Sequence, residues 1–381
     1  MSNYIVLGGD GFCGWPTSLH LASLGNNVLI IDNLVRRSIA EQISAPSLTP
    51  IRSIDKRIKA AQKIGNISFV NCDIAKQSGR LKEILASFKP DAIVHFAEQR
   101  SAPYSMLGDV ERKYTVDNNV GGTNNLFSTL VELKMRPHIV HLGTMGVYGY
   151  DDAFGEIPEG YLDVTIKQTN RDVSIGYPVN PGSIYHMTKC LDHTLMQFYA
   201  KNWEFQITDL HQGIVWGTDT DITKTDEDLI NRFDYDGEYG TVLNRMLSQA
   251  QIGHPLTVYG TGGQARAFIH ISDTARNVAL ACENPPNVGE RVQVFNQVSE
   301  VHKVRDLAKL IQEKTGVEIN YQDNPRKEAK ENELKVSNEG LRSLGFEPIT
   351  LADNLMEEIE ATVVKYKDRL DKTVIDSNAR W

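Results

Sequence analysis

The sequence has few cysteines, no excess of positive charge and no long apolar run, and each absence excludes a class of protein. Its four cysteines among 381 residues form no C-x-x-C pair, so we expect neither a disulfide framework nor a metal site. The formal net charge is −9 at pH 7, which argues against nucleic acid as a partner. No apolar stretch reaches the roughly 18 residues that a membrane-inserted helix needs.

The composition is that of an ordinary globular enzyme. Hydrophobic residues make up 41% and charged residues 23% of the chain, enough for one large core and a smaller lobe. Only residues 1–3 precede the first apolar run, so we expect neither a signal nor a transit peptide. Together with the scattered thiols, this predicts a cytoplasmic protein.

A glycine-rich segment near the N-terminus has the form of a strand, a tight turn and a helix. The apolar run is followed by Gly8, Gly11 and Gly14 in G-x-x-G-x-x-G spacing, with Phe12 and Cys13 inside the turn. Such glycines let the backbone approach a pyrophosphate, whose charge is met by the amides at the helix start. Taken alone, the spacing also fits an ordinary turn.

The second predicted strand, residues 27–31, ends in Asp32-Asn33. A carboxylate there can bind the adenosine ribose hydroxyls and repel a 2′-phosphate, which favours NAD over NADP. A turn-forming aspartate is the alternative. Arg36 and Arg37 follow closely, and we expect them to lie over the nucleotide or in solvent.

Other candidate cofactor and substrate residues follow the later strands. Loops at the carboxyl ends of parallel strands line the ligand crevice. Asp73-Ile74 closes the third strand and suits an aspartate that meets the adenine amino group. After the fourth strand, Ala97 should lie against the cofactor and Arg100 near the substrate. Asn118 fits the nicotinamide side, although helix capping would explain it equally.

Thr144, at the end of the fifth strand, and the pair Tyr185 and Lys189 are the candidate catalytic residues. Tyr185 and Lys189 lie one helical turn apart in Tyr-x-x-x-Lys, so they share a helix face. The ammonium lowers the phenol pKa, which lets the tyrosine take a proton from a hydroxyl. With the glycine loop, this set resembles the extended short-chain dehydrogenases that act on nucleotide sugars, in which the threonine also bonds the reacting hydroxyl. Alone, such a threonine could equally cap a turn.

The strand and helix patterns alternate along the first half, which predicts an α/β fold. We expect a doubly wound parallel sheet of Rossmann type, as in the extended dehydrogenases, with a smaller, discontinuous C-terminal substrate lobe. The predicted NAD-binding domain covers residues 1–212, with segments near 260–300 returning to it. Residues 213–381 mainly form the substrate lobe.

Longer motifs resemble the UDP-sulfoquinovose synthases over nearly the whole chain. They include Glu-Gln-Arg-Ser-Ala-Pro-Tyr-Ser-Met at 98–106, Gly-Thr-Met-Gly at 143–146 and Gly-His-Pro-Leu-Thr-Val-Tyr-Gly at 253–260. The resemblance implies that UDP-glucose and sulfite are substrates and that NAD is recycled within the site. It implies Gln212 and Val215 near the nicotinamide and sugar. It places the UDP-sugar on Thr241, Arg245, Thr257, Val258, Tyr259, Gln264, Arg266 and Arg326.

The family chemistry implies four steps. Tyr185, helped by Thr144 and Lys189, deprotonates the sugar 4-hydroxyl as hydride passes to NAD. The 4-ketone then acidifies the C5 proton, and the 6-hydroxyl is lost. Sulfite adds at C6, and the stored hydride returns to C4. The helices near 118–133 and 183–201 commonly form a two-fold bundle in relatives, which predicts a homodimer.

The chain departs from the family pattern at one position that bears on the acid for release of the 6-hydroxyl. The family pattern reads Thr-Met-Gly-Glu-Tyr-Gly, whereas this chain has Val147 at the glutamate position. Glu98 and His186 are the nearest alternatives. If the family's glutamate takes part, Val147 slows sulfonation; if it does not, Val147 only packs.

Two other functions remain open from the residues alone. A UDP-sugar 4-epimerase needs only the threonine, the tyrosine, the lysine and NAD. A non-catalytic NAD-binding protein would keep the fold, but the intact catalytic set argues against it.

Overall fold

A computed structural model describes residues 1–149, 155–326, 328–353 and 355–376 of the chain. The first half alternates strands and helices, as the sequence predicts. The strands are β1 Asn3–Leu7, β2 Asn27–Asp32, β3 Ile67–Asn71, β4 Ala92–His95, β5 His138–Thr144, β6 Tyr161–Ile166, β7 Arg171–Gly176 and β8 Ile207–Gln212. The helices are α1 Gly14–Ser23, α2 Val35–Gln42, α3 Ile54–Ala61, α4 Ser78–Phe88, α5 Asp109–Glu132 and α6 Ile184–Trp203.

The second half has shorter strands and a less regular order. Its strands are β9 Ile214–Trp216, β10 Leu256–Tyr259, β11 Ala265–His270, β12 Gln293–Gln297, β13 Glu300–Lys303 and β14 Ile319–Gln322. Its helices are α7 Val242–Gln251, α8 Ile271–Glu283, α9 Val304–Thr315, α10 Glu339–Ser343 and α11 Leu355–Lys365.

The central sheet has seven parallel strands in the order β12-β8-β5-β4-β1-β2-β3. The inner strands β1, β2 and β4 are buried under helices on both faces, which explains why they read as nearly continuous apolar runs. The strand order reverses between β1 and β4, and ligands bind at such a switch point. The predicted fold class is confirmed.

The chain returns to the central sheet late in the sequence. β12 pairs with β8 at its edge, and α8 packs on α1. The smaller lobe contains the parallel pair β10 and β14, together with α7, α9 and α11 around an apolar cluster that includes Phe233, Leu247 and Ile359. β9, β11 and β13 form a three-stranded sheet, and β6 and β7 form an antiparallel hairpin.

Candidate active site

A cleft of about 790 Å³ opens where the central strands end and continues into the smaller lobe. Most residues predicted for cofactor, substrate or chemistry line it. They are Gly8, Gly11, Phe12, Cys13, Gly14, Asp32, Asn33, Arg36, Asp73, Ile74, Ala97, Glu98, Arg100, Asn118, Thr144, Tyr185, His186, Lys189, Gln212, Val215, Thr241, Arg245, Thr257, Tyr259, Gln264, Arg266 and Arg326. The two exceptions are Val147 and Val258.

The glycine loop forms a cradle that side chains would fill. Gly8 has a φ of +78°, and a Cβ there would lie 2.6 Å from the carbonyl carbon of Phe96. A Cβ on Gly14 would collide with the carbonyl oxygen of Gly8. The backbone amides are therefore open to a ligand at the start of α1, as a dinucleotide pyrophosphate requires. The residues present fit NAD.

Asp10, inside the glycine loop, ties that loop to its surroundings. Its amide donates to Oδ2 of Asp32 over 2.9 Å. Its own carboxylate binds Arg37 at 2.7 Å and Arg57 at 2.5 Å. Burial, and then the nearby Asp10 charge, raise the pKa of Asp32 to about 6. Arg37 is thus engaged by Asp10, which favours the predicted preference for NAD over NADP.

Three arginines converge on one carboxylate over the cleft. Asp234 lies 3.1 Å from Arg36, 2.6 Å from Arg100 and 3.5 Å from Arg232. The Arg36 guanidinium also stacks on Tyr239, 3.7 Å from the ring centroid. Arg36 and Arg100 also line the cleft, where guanidinium groups suit the oxygens of a pyrophosphate. Sequence reasoning missed Asp234, because it is 134 residues from Arg100.

The candidate catalytic residues meet on α6 and at the end of β5. Ser183 caps α6 by accepting a hydrogen bond from the amide of His186, which fixes the helix start beside Tyr185. The Thr144 side chain lies close enough to the Tyr185 hydroxyl to affect its pKa. Burial raises the pKa of Tyr185 above its ordinary value, whereas Lys189 and Thr144 lower it. The predicted influence of the lysine is present, but burial outweighs it.

Thr144 also acts as a turn cap. Its Oγ1 accepts a hydrogen bond from the amide of Gly146 over 3.2 Å. Capping and contact with Tyr185 therefore coexist in one side chain. The capping alternative for Asn118 is wrong, since α5 begins at Asp109 and Asn118 lies inside it.

Lys189 has a carboxylate partner that the sequence motif does not contain. Its ammonium lies 2.6 Å from Oε2 of Glu98 and donates to the carbonyl oxygen of Leu142 over 2.5 Å. Burial opposes the charge on Lys189, but Glu98 keeps its pKa raised. Lys189 and His141 in turn hold the pKa of the buried Glu98 far below its usual range. Glu98 is therefore ionised at rest and holds no proton for the leaving 6-hydroxyl.

The two other acid candidates differ in position. His186 lines the cleft against Gly146, and burial, together with Arg326 and Arg266, lowers its pKa to about 3. Its ring is neutral. Val147 is 2% exposed and belongs to an apolar cluster with Met145 and Cys190, so its side chain packs away from the cleft wall. This packing supports the interpretation that Val147 only fills space in the apolar cluster.

The substrate half of the cleft gathers a second group of arginines. Arg266 is paired with the Glu328 carboxylate. Burial and the charges of Arg266 and Arg245 lower the pKa of Arg326, which places the three cations near one another. This arrangement suits the diphosphate of a nucleotide sugar.

Gln212 and Thr257 line the cleft, and both are held by neighbours. Gln212 donates to Thr274 over 2.7 Å. The amide of Thr257 donates to Gln249 over 3.1 Å. Val258 points into the apolar cluster of the smaller lobe, so only its backbone would be available to a ligand.

The fold and the cleft define a dinucleotide-dependent enzyme that acts on a nucleotide sugar. The NAD dependent epimerase/dehydratase family matches residues 4–296, which confirms NAD as the cofactor. UDP-glucose 4-epimerases share the fold. The Thermotoga maritima structure with UDP-glucose has a TM-score of 0.70 at 21% identity, covering 97% of this chain and 100% of that one. The Stenotrophomonas maltophila structure with NAD has 0.72 at 18%, with 97% and 100% covered.

Two curated relatives are much more similar. The chain is 44% identical to the chloroplastic UDP-sulfoquinovose synthase of Spinacia oleracea, covering 99% of this chain and 78% of the relative. It is 40% identical to the UDP-sulfoquinovose synthase of Sulfolobus acidocaldarius, covering 99% and 97%. The chain belongs to the UDP-sulfoquinovose synthase family, as the sequence motifs predict. Within the residues described, no helix combines the length and apolarity needed to cross a membrane.

Proposed function

We propose that the protein converts UDP-glucose and sulfite to UDP-sulfoquinovose. The observation that carries the proposal is the meeting of Thr144, Tyr185 and Lys189 in one cleft with arginines at both ends. One arginine group suits the dinucleotide and the other the UDP diphosphate, so the sugar would lie between them, at the catalytic residues. Membership in the UDP-sulfoquinovose synthase family supports this assignment.

Tyr185 and Thr144 act on the 4-hydroxyl of the sugar. Bound NAD supplies an oxidised nicotinamide, whose positive charge favours the phenolate and which accepts and later returns the C4 hydride. Thr144 orients the hydroxyl, and Tyr185 takes its proton and holds it until the last step. Lys189 supports the phenolate electrostatically. Glu98 keeps Lys189 charged in a site that would otherwise favour the neutral amine.

The middle steps change the sugar beyond C4. The 4-ketone acidifies the C5 proton, and water leaves from C6 with that proton on its oxygen. The sulfur of sulfite then adds at C6, while C5 gains a proton. His186 is the described group that best fits the transfer of the C5 proton to the leaving oxygen, because its neutral ring lines the cleft beside Tyr185 and can take that proton before passing it on.

Mass spectrometry of the products tests the proposal. With UDP-glucose and sulfite, the protein should release a sulfonated sugar nucleotide, and without sulfite it should not. Arg266→Ala should weaken UDP binding, with Arg342→Ala on α10 as a matched control outside the cleft. Release of UDP-galactose, with no sulfonated product at any sulfite concentration, would show a 4-epimerase instead.

We also propose that the protein is a homodimer and works in the cytoplasm. Val110 of α5 is 74% exposed, and Leu191 and Phe198 of α6 are 43% and 54% exposed. Apolar side chains on these helices support a homodimer that buries them. The free, buried cysteines support work in the reducing cytoplasm. Size-exclusion chromatography with light scattering tests the dimer, and a monomer at micromolar concentration would contradict it.

A further inference from the structure

A chain of buried, hydrogen-bonded groups leads away from the cleft behind Lys189. Oε1 of Glu98 lies 2.9 Å from Nε2 of His141. The other ring nitrogen of His141 lies 2.8 Å from Oδ1 of Asp209. Oδ2 of Asp209 lies 2.8 Å from Nδ1 of His193. With the 2.6 Å contact between Lys189 and Glu98, five titratable side chains form an unbroken path.

The two ends of this path lie in different environments. Lys189 and Glu98 line the cleft, His141 and Asp209 have side chains only 1% exposed, and the His193 side chain is 13% exposed. The amide nitrogen of Gln197 lies 2.8 Å from Nε2 of His193. Because an amide nitrogen only donates, the proton of the neutral ring sits on Nδ1, facing Asp209.

Burying such a cluster of charged groups costs folding free energy, so its presence needs an explanation. Desolvating several ions often costs more than their mutual attraction returns, and apolar residues of similar size would be as stable. The Tyr185 mechanism needs only Lys189 and one counter-ion. His141, Asp209 and His193 are therefore left without a catalytic or stabilising reason.

The proposed reaction supplies that reason. An alcohol R–CH₂OH and the sulfite dianion become a sulfonate R–CH₂–SO₃⁻ and water. The C–O bond at C6 breaks and a C–S bond forms from the sulfur lone pair. The charge balance then requires one proton from solvent for each turnover. The C5 proton leaves with the water, so a replacement proton must reach C5 while the sugar is bound in the cleft.

We propose that Lys189, Glu98, His141, Asp209 and His193 form a proton relay that brings this proton from solvent to the cleft. The proposal rests on the proposed function, which creates the proton demand. Each group accepts a proton from the side facing His193 and releases one toward Lys189, so no charge accumulates. Histidine suits both the entry and the middle, since its ring can form hydrogen bonds through both nitrogens.

Two further observations fit the relay. Burial and Lys189 oppose a charge on His141, yet Asp209 and Glu98 raise its pKa to about 9, so it can hold a proton in transit. Asp192 lies beside the path, with its carboxylate and the bonding atoms of Glu98 and His141 within 4.8 Å of one another. Burial and Glu98 raise the pKa of Asp192 to about 7, as suits a proton store.

His193, where protons would enter the relay, lies away from the exposed apolar side chains that the proposed dimer would bury. In α6, His193 and Gln197 lie roughly opposite Leu191 and Phe198 at 3.6 residues per turn, and they face the hairpin of β6 and β7. Groups near His193 are Asp209 and His211 of β8. Tyr161 of β6 also lies near Gln197; its hydroxyl donates to the carbonyl oxygen of Val292 over 2.6 Å, and the Arg291 guanidinium lies 3.5 Å from its ring centroid.

Substitution of His193 tests the relay, with His20 of α1 as the matched control. His193→Gln should lower sulfite-dependent kcat by about tenfold, less than the loss of a direct proton donor because water can partly replace it. Millimolar imidazole should restore most of this loss. His20→Gln should match the wild type and ignore imidazole. An unchanged kcat, or a loss that imidazole does not relieve, overturns the relay.

Gln197→Glu gives a second measurement, at a half-buried position of α6. A carboxylate beside Nε2 of His193 favours its charged form, so the alkaline limb of the kcat profile should move to higher pH. An unmoved limb contradicts the relay even if His193→Gln fails to fold. If the wild type makes no sulfonated product, the proposed function is wrong and the relay loses its purpose. If the wild type sulfonates and both variants behave like it, only the relay is wrong.

Discussion

The ammonium of Lys189 and the carboxylate of Glu98 lie 2.6 Å apart, both almost fully buried. The pair explains how a lysine remains charged in a desolvated site, since burial alone would favour the neutral amine. It also argues against Glu98 as the acid that releases the 6-hydroxyl. A carboxylate held ionised by Lys189 and His141 holds no proton for a leaving hydroxyl near neutral pH, so Glu98 supports the lysine and carries a proton only in transit along the proposed relay.

Asp32 should make NAD binding depend on pH. Burial and Asp10 raise its pKa to about 6, and only the ionised form accepts hydrogen bonds from both ribose hydroxyls. After removal of copurifying NAD, affinity should therefore fall as pH drops below about 6. Asp32→Asn should lose about 1–3 kcal/mol of NAD binding and show no such pH dependence. Isothermal titration calorimetry measures both, and a preference for NADP would reject this role.

Tyr185→Phe and Thr144→Ala should abolish turnover while leaving UDP-glucose affinity nearly intact. Both hydroxyls act on a group whose charge changes only during reaction, so their loss should appear in kcat rather than in substrate binding. Steady-state rates and equilibrium binding of UDP-glucose separate the two effects. Ser343→Ala on α10 is the control. A Tyr185→Phe protein with a near-normal rate would remove the proposed base.

The sequence predicts the parts of this site whose signals are local. The glycine turn, the strand-end Asp32 and the Tyr-x-x-x-Lys pair each depend on spacing within one or two elements, and each lies in the cleft. Asp234 and Asp209 had no such signal. Each meets its partners across long stretches of chain, 68 residues for Asp209 and His141, and a single aspartate or histidine has no spacing to reveal it.

Asp192→Asn should stabilise the protein in a pH-dependent way. The folded-state pKa of Asp192 is raised from 3.8 to about 7, so folding favours its protonated form. That stability is complete below about pH 4 and is lost as pH rises to about 7. The asparagine mimics the protonated carboxyl. The variant should therefore exceed the wild type by roughly 1–4 kcal/mol above pH 7, and the difference should shrink toward pH 4.

Urea unfolding at pH 5 and pH 8 measures that difference directly. Asp163→Asn, on an exposed position of β6, is the matched control and should show little change at either pH. A variant that is less stable than the wild type at pH 8 would mean that ionised Asp192 makes favourable contacts, and it would remove its role as a proton store.

Val147→Glu should destabilise the protein without raising its rate. Val147 is 2% exposed among Met145, Tyr148 and Cys190, and its carbonyl accepts the amide of Asn180 over 2.8 Å. A glutamate side chain at this position would enter apolar surroundings, where an uncompensated charge costs about 3–5 kcal/mol. Because burial would raise the pKa of this carboxyl, the loss should grow as pH rises from about 4.3, its ordinary value, and be greatest above the raised pKa.

Denaturant unfolding and sulfite-dependent turnover, measured side by side, distinguish a packing role for Val147 from a catalytic role for a glutamate at this position. Val147→Leu keeps the apolar character and should retain most of the stability and all of the rate. If packing is the only role of Val147, the glutamate variant is less stable and no faster. A glutamate variant that sulfonates at least about tenfold faster would show that its carboxyl reaches the sugar, since a positioned proton donor typically contributes about a hundred- to ten-thousand-fold. The valine would then be the reason for a slower enzyme.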